Sequence, residues 1–133
     1  MSQNPYTPEP QYGADVPSIS PAEERQWGMI SHAVPALATV LSAGTLGFVV
    51  SLVIYLMYRD KGPFVRAHAA NSLNVQIMTL IYLCISFVLM LVLIGFVTYV
   101  VALAVALIYH LIGAMKANSG EWWEPPLTIK FVS

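Results

Sequence analysis

The chain has 133 residues, of which 57% are hydrophobic and 10% charged, and a net charge of −1. A soluble domain is nearer half apolar and about a quarter charged, so this balance belongs to a membrane protein and gives no electrostatic case for nucleic acid. A single cysteine, Cys84, excludes an intrachain disulfide and a cysteine-built metal site.

Every acidic and basic side chain falls in three places: Glu9 to Arg25, Arg59 to Arg66, and Lys116 to Lys130. Between them, Gln26–Tyr58 and Ala67–Met115 carry no charge. The first 19 residues are rich in Pro, Tyr, Gln and Ser, with no basic segment leading into an apolar one. They read as a disordered tail rather than a signal peptide, because they bury too little apolar surface to offset ordering. A docking peptide in PYTPEPQY is the functional alternative. Residues 20–118 then form the transmembrane domain, and 119–133 a C-terminal strap.

SISPAEER is a helix start. Ser20 caps, Pro21 takes the first helical position, and Glu23 completes a capping box. A helix running from there to residue 59 would be about 60 Å long. The segment SAGTLG, Ser42 to Gly47, interrupts it with two glycines, so helices are predicted at 21–42 and 46–59. The charge-free run 67–115 is too long for one crossing and suits two. LIGFVTY, Leu93 to Tyr99, breaks it, with Gly95 as the flexible point. Helices are predicted at 64–93 and 97–117, the last ending in Lys116 and the turn-forming Asn118-Ser119-Gly120. The expected fold is an all-α integral membrane protein: a four-helix bundle, its first two helices short or broken near Ser42–Gly47.

Four crossings put every charge on one side. Arg59, Lys61 and Arg66 make that side cytoplasmic, with both termini there and the chain multi-pass in the plasma (cytoplasmic, inner) membrane. A hairpin of 26–58 that only dips into the bilayer is the alternative, since about 14 apolar residues of the second helix reach about 21 Å. Trp27, Tyr55, Tyr58, Trp122 and Trp123 fall near the proposed boundary and read as interface anchors. EWWEPPLTIKFV reads as an interfacial strap with an extended end.

Small residues at helical spacing mark packing faces: Ala102, Ala106, His110, Gly113 and Ala117 on the last helix, and Ala33, Ala36, Ala43, Gly44 and Gly47 on the first pair. The unexpected feature is HAANSLNVQ, His68 to Gln76. At 100° per residue, His68, Asn71, Ser72, Val75 and Thr79 share one face, with Asn74 and Gln76 flanking it and Leu73, Ile77 and Ile81 opposite. His32 and His110, on other helices, lie in the same half of the bundle and can converge with it. One reading is a structural clamp that ties helices together. The other is a cytoplasm-facing vestibule for a headgroup, ion or solute, with His68, Asn71, Ser72, Asn74, Gln76 and His110 as candidate binding residues. Three histidines can in principle bind zinc, but no metal-ligand spacing supports it. The expectation is no metal and no cofactor.

The ordered motifs Trp27…His32, Pro63-Phe64-Val65-x-x-His68-Ala69-x-x-Ser72-Leu73-Asn74-Val75-Gln76, and Ala117-x-x-Gly120-Glu121 followed by Pro125-Pro126 resemble a family of small uncharacterised bacterial membrane proteins. That family is distantly similar to the Tic-type import component of the chloroplast inner envelope. The resemblance covers about residues 22–132. It implies four helices with both termini on one side and a place in a larger membrane complex. Glu124 stands where the family commonly has an aromatic residue.

No intramembrane carboxylate, phosphate loop or nucleophile elbow is present, so the chain reads as non-catalytic. Its expected partners are the lipid bilayer and other membrane proteins or itself. Two functions compete. One is an accessory or scaffold subunit of a membrane complex. The other is a self-assembling pore or small-solute transporter with its vestibule at His68–Gln76.

Overall fold

A computed structural model describes residues 17–133; the expected tail lies outside them up to residue 16. Four helices follow in order: α1 Pro21–Leu41, α2 Gly47–Tyr58, α3 Pro63–Leu89 and α4 Ile94–Asn118, with a 3₁₀ turn over Met90–Val92 between the last two. No strand occurs among the described residues. Four helices broken near Ser42–Gly47 are therefore what the chain forms.

α1 starts as its sequence dictates. The Ser20 hydroxyl accepts from the Glu23 N–H, and the Ser20 N–H donates to the Glu23 carboxylate at 2.8 Å. These hydrogen bonds from Ser20, the backbone one first, hold the Glu23 carboxyl below the usual carboxylate range. Just before the helix, the Ser18 N–H docks on the Lys61 carbonyl at 2.7 Å and fixes the entry against the α2–α3 connector. α1 ends where Ala43 and Gly44 adopt positive φ. There the Ser42 hydroxyl donates to the Ala38 carbonyl and accepts the Leu46 N–H, bridging the two helices.

The break between α3 and α4 differs from expectation. The reversal falls on Leu93, at φ 69°, and α4 begins at Ile94 with Gly95 already inside it. Gly95 serves close approach rather than flexibility: a Cβ there would overlap the Ser86 carbonyl of α3 and the Met90 nitrogen of the 3₁₀ turn.

In cross-section α1 and α3 touch across the middle. α4 packs on both from one side and α2 on both from the other. The distribution of polarity is inverted relative to a soluble protein. The buried apolar side chains are mostly small, such as Ala36, Ala69, Ala70, Ala106 and Ala117. The buried polar ones include three histidines, two asparagines, Gln76 and Glu24. Leu41, Phe87, Leu91, Val92 and Leu93 project outward. Such a surface is stable only against an apolar medium. Pro63–Val92 and Ile94–Asn118 are both long and apolar enough to cross a membrane. α2, at 12 residues, is about 18 Å long.

Candidate functional site

α3 opens on Gly62 and Pro63, and its first turn has no cap from its own chain neighbourhood. Glu24 of α1 supplies one. It is 5% exposed, and its carboxylate accepts the Val65 N–H at 3.0 Å. A negative group suits the positive end of a helix. Gly62 leaves the space, since a Cβ there would overlap the carboxylate. Sequence reading assigned Glu24 no role; its signal was the four-residue spacing to Gly28, which places it on the inward face of α1 with Ser31 and His32.

The polar run on α3 is enclosed on every side. All nine residues from His68 to Gln76 are buried, including Leu73 at 2% exposure, so the outward greasy face expected there is absent in this half of the helix. One part of that enclosure is the C-terminal strap, residues 119–133, which covers the side of His68, Asn71 and Asn74. It folds back over α3 and takes the place of a fifth packing element.

Three candidates bind that strap. His68 Nε2 meets the Glu121 carbonyl at 2.9 Å, and the Asn71 amide donates to the Trp123 carbonyl. The Asn74 amide donates to the Val132 carbonyl at 3.0 Å, while its oxygen accepts the N–H groups of Phe131 and Val132 at 2.8 and 2.9 Å. An asparagine side chain so placed satisfies a strand-like segment as a neighbouring strand would. Two tyrosines add to it: Tyr55 donates to the Ser133 carbonyl and Tyr109 to the Pro126 carbonyl. The other expected anchors make ring contacts. Trp27 stacks on Tyr58 with ring centroids 4.3 Å apart, Trp122 sits edge-on to Phe64, and Trp123 edge-on to His32 and Tyr109.

The other three candidates point inward. Ser72 meets Ser51 of α2 at 3.0 Å. The Gln76 amide nitrogen lies 2.8 Å from Thr39 Oγ1 and 2.6 Å from His110 Nε2. His110 Nδ1 lies 3.4 Å from His32 Nδ1, and His32 Nε2 lies 3.4 Å from His68 Nδ1. The three rings and the glutamine thus form one chain through α1, α3 and α4.

The two ends of that chain set its direction. The Glu121 carbonyl can only accept, so His68 carries its proton on Nε2 and accepts on Nδ1. His32 must then donate from Nε2 and accept on Nδ1, and His110 must donate from Nδ1 and accept on Nε2. The Gln76 amide, with two N–H groups, donates to His110 and to Thr39, whose hydroxyl passes to the Pro35 carbonyl. All three histidines are neutral in this arrangement and every ring nitrogen is used. One atom is left over, Gln76 Oε1, which has no hydrogen-bond partner among the described residues. It faces Gly47, where a Cβ would collide with Thr39 and the Gln76 amide. Gly113 has the same part on α4: a Cβ would enter the His32 ring.

A chain of rings is not a chelate. His32 turns a different nitrogen to each neighbour, so no single point is reached by all three. Among the described residues no group of three or more His, Cys, Asp or Glu side chains is arranged to hold a metal ion. Beside the strap lies a cavity of about 450 Å³ lined by Arg66, Asn71, Trp122, Trp123, Glu124 and Lys130, among others. Lys130 pairs with Glu124 at 2.8 Å across it.

A family model matches residues 23–132, from the capping box to the last residues of the strap: the magnetosome magnetite crystal formation protein family, MamF/MmsF. The chain belongs to that family. It is a small family of bacterial membrane proteins, as the motif order had implied, and is not a known enzyme family. No curated protein and no solved structure matches the chain. The Tic-type likeness gains no support from these comparisons.

Proposed function

We propose that this protein is a non-catalytic accessory or scaffold subunit of the magnetosome membrane, acting on magnetite crystal formation through partner proteins. The observation that carries this reading is the family match over 23–132, joined to a polar interior whose groups are spent on one another. His68, Asn71 and Asn74 engage the strap, and Ser72, Gln76 and His110 engage neighbouring helices. Such a cluster fixes one arrangement of helices and strap rather than offering free donors to a solute.

Charge placement supports action through partners. Among the described residues the charged side chains lie at one end of the bundle, and the segments at the other end, 41–47 and 89–97, hold none. An ionic mineral is recognised by charged or strongly polar groups. With both termini cytoplasmic, the end facing the magnetosome interior would offer a crystal only apolar side chains and a few hydroxyls. The apolar outer faces of α2, α3 and α4 are suited to lipid and to other membrane helices.

Two experiments test the reading. Deleting the protein from cells that form magnetite should change crystal size or number, as seen by electron microscopy; crystals identical to wild type would sink the assignment. Affinity purification in mild detergent should recover membrane partners at fixed ratio. A homo-oligomer alone, together with solute flux in liposomes that Asn71→Leu with Asn74→Leu abolishes, would favour the pore instead.

A further inference from the structure

A groove of about 420 Å³ runs down the outside of the bundle between α3 and α4, walled by Tyr82, Ile85, Val101 and Val105 and bordered at one end by Leu127 and Thr128 of the strap. We infer that it is a binding site for one acyl chain of a bilayer lipid. The inference rests on the membrane reading above.

Three properties of the groove select that occupant. The first is hydrogen bonding. Thr79, Thr98 and Thr128 line the groove, yet their hydroxyls donate to the carbonyls of Val75, Gly95 and Pro126, and Tyr109 also donates to Pro126. Each threonine has spent its donor on the chain's own backbone. Only the Tyr82 and Ser86 hydroxyls lack a partner among the described residues, so a peptide segment or a polar ligand would lose water along the groove and gain only those two groups in return. The second is width. A helix about 10 Å across would rest on the rims of this half-open slot by one face, whereas the much thinner acyl chain lies between the two helices along its length. The third is length. The groove follows α3 from Val75 to Leu89, about 21 Å, and α4 from Val97 to Tyr109, about 18 Å. One leaflet of the hydrocarbon core is about 15 Å deep, which is the reach of one extended chain.

The strap marks the mouth. Leu127 sits at φ 58°, a left-handed conformation that a leucine adopts only at a cost, and is 95% exposed. Its neighbour Pro126 is tied to Tyr109. The turn thus holds an aliphatic side chain out at the interfacial end of the groove, where the acyl chain would enter below its headgroup.

The test is reconstitution of the full chain in phosphatidylcholine vesicles doped with a phospholipid that carries a diazirine on one acyl chain. After irradiation and digestion, labelled peptides are located by mass spectrometry. Label should concentrate on 75–89 and 97–109, at about threefold over the outward face of α2 at Val49, Val53 and Leu56, a modest preference because packing alone drives it. Ala102→Phe, which fills the groove, should remove the enrichment. Ala104→Phe, exposed and outside the groove, should leave it. Even labelling of all outward faces would overturn the site and keep the membrane reading. A groove protected from label while its surroundings react would mean that protein fills it, and would also overturn the site. Absence of label everywhere would reject the membrane reading itself.

Discussion

His110 Nε2 is an acceptor because Gln76 turns an N–H toward it, and Gln76 can do so because Gly47 leaves room. Changing Gln76 to Leu strands His110 Nε2, a buried group worth about 1–3 kcal/mol when unpaired, while Thr39 keeps its bond to the Pro35 carbonyl. The melting temperature in detergent should fall accordingly; an unchanged value would show that the chain of rings carries no stability. Because the members share partners, Gln76→Leu and His32→Leu should combine to less than the sum of their separate effects, whereas independent sites would add. Gly113→Ala tests the same chain by overpacking. A methyl group driven into the His32 ring should cost about 1–3 kcal/mol. The histidines themselves were visible in the sequence, as was the face that His68 and Asn71 share. Their pairing was not, since a ring's partner depends on which neighbouring helix arrives and in which rotation.

At the scale of elements, the first helix start and the strap respond to different variables. Glu23 is held below its ordinary pKa by Ser20, so its cap is fully present above the unfolded value and is lost as pH falls through the folded one. Wild type should therefore lose helicity at the α1 start on acidification below about pH 4, while Glu23→Gln should be flat through that range; equal pH profiles would remove Glu23 from the account. The strap depends on Asn74, which makes three of its hydrogen bonds. Asn74→Ala should raise tryptic cleavage after Lys130 by about tenfold, the equivalent of about 1.4 kcal/mol of local opening, and digestion at the wild-type rate would count against that anchor. Helix positions were legible to within a few residues, because capping chemistry and charge-free length fix them locally. The Leu93 reversal was not, because the clash of a Gly95 Cβ with α3 exists only once the two helices are packed.

For the whole molecule, topology is the open physical question with a direct measurement. Single cysteines placed at Ser18, Lys61 and Ser133 in a Cys84→Ser background should all react with a membrane-impermeant thiol reagent from one side. Cysteines at Thr45 and Leu93 should not react from that side. Labelling of Ser18 and Ser133 from opposite faces would reject the arrangement with both termini cytoplasmic. The sequence by itself determined the medium and the number of helices, since composition, charge placement and two uncharged runs answer to the bilayer independently of packing. It also exposed a polar face on the third helix and left open whether that face bound a solute or held the protein together. Only the tertiary structure decided what those side chains touch. Asn71 and Asn74 reach a strap about fifty residues further on, and His68 joins two rings on other helices into one neutral chain. Periodicity specifies which way a side chain leaves its own helix. What it meets there is set by long-range packing, which no local pattern encodes.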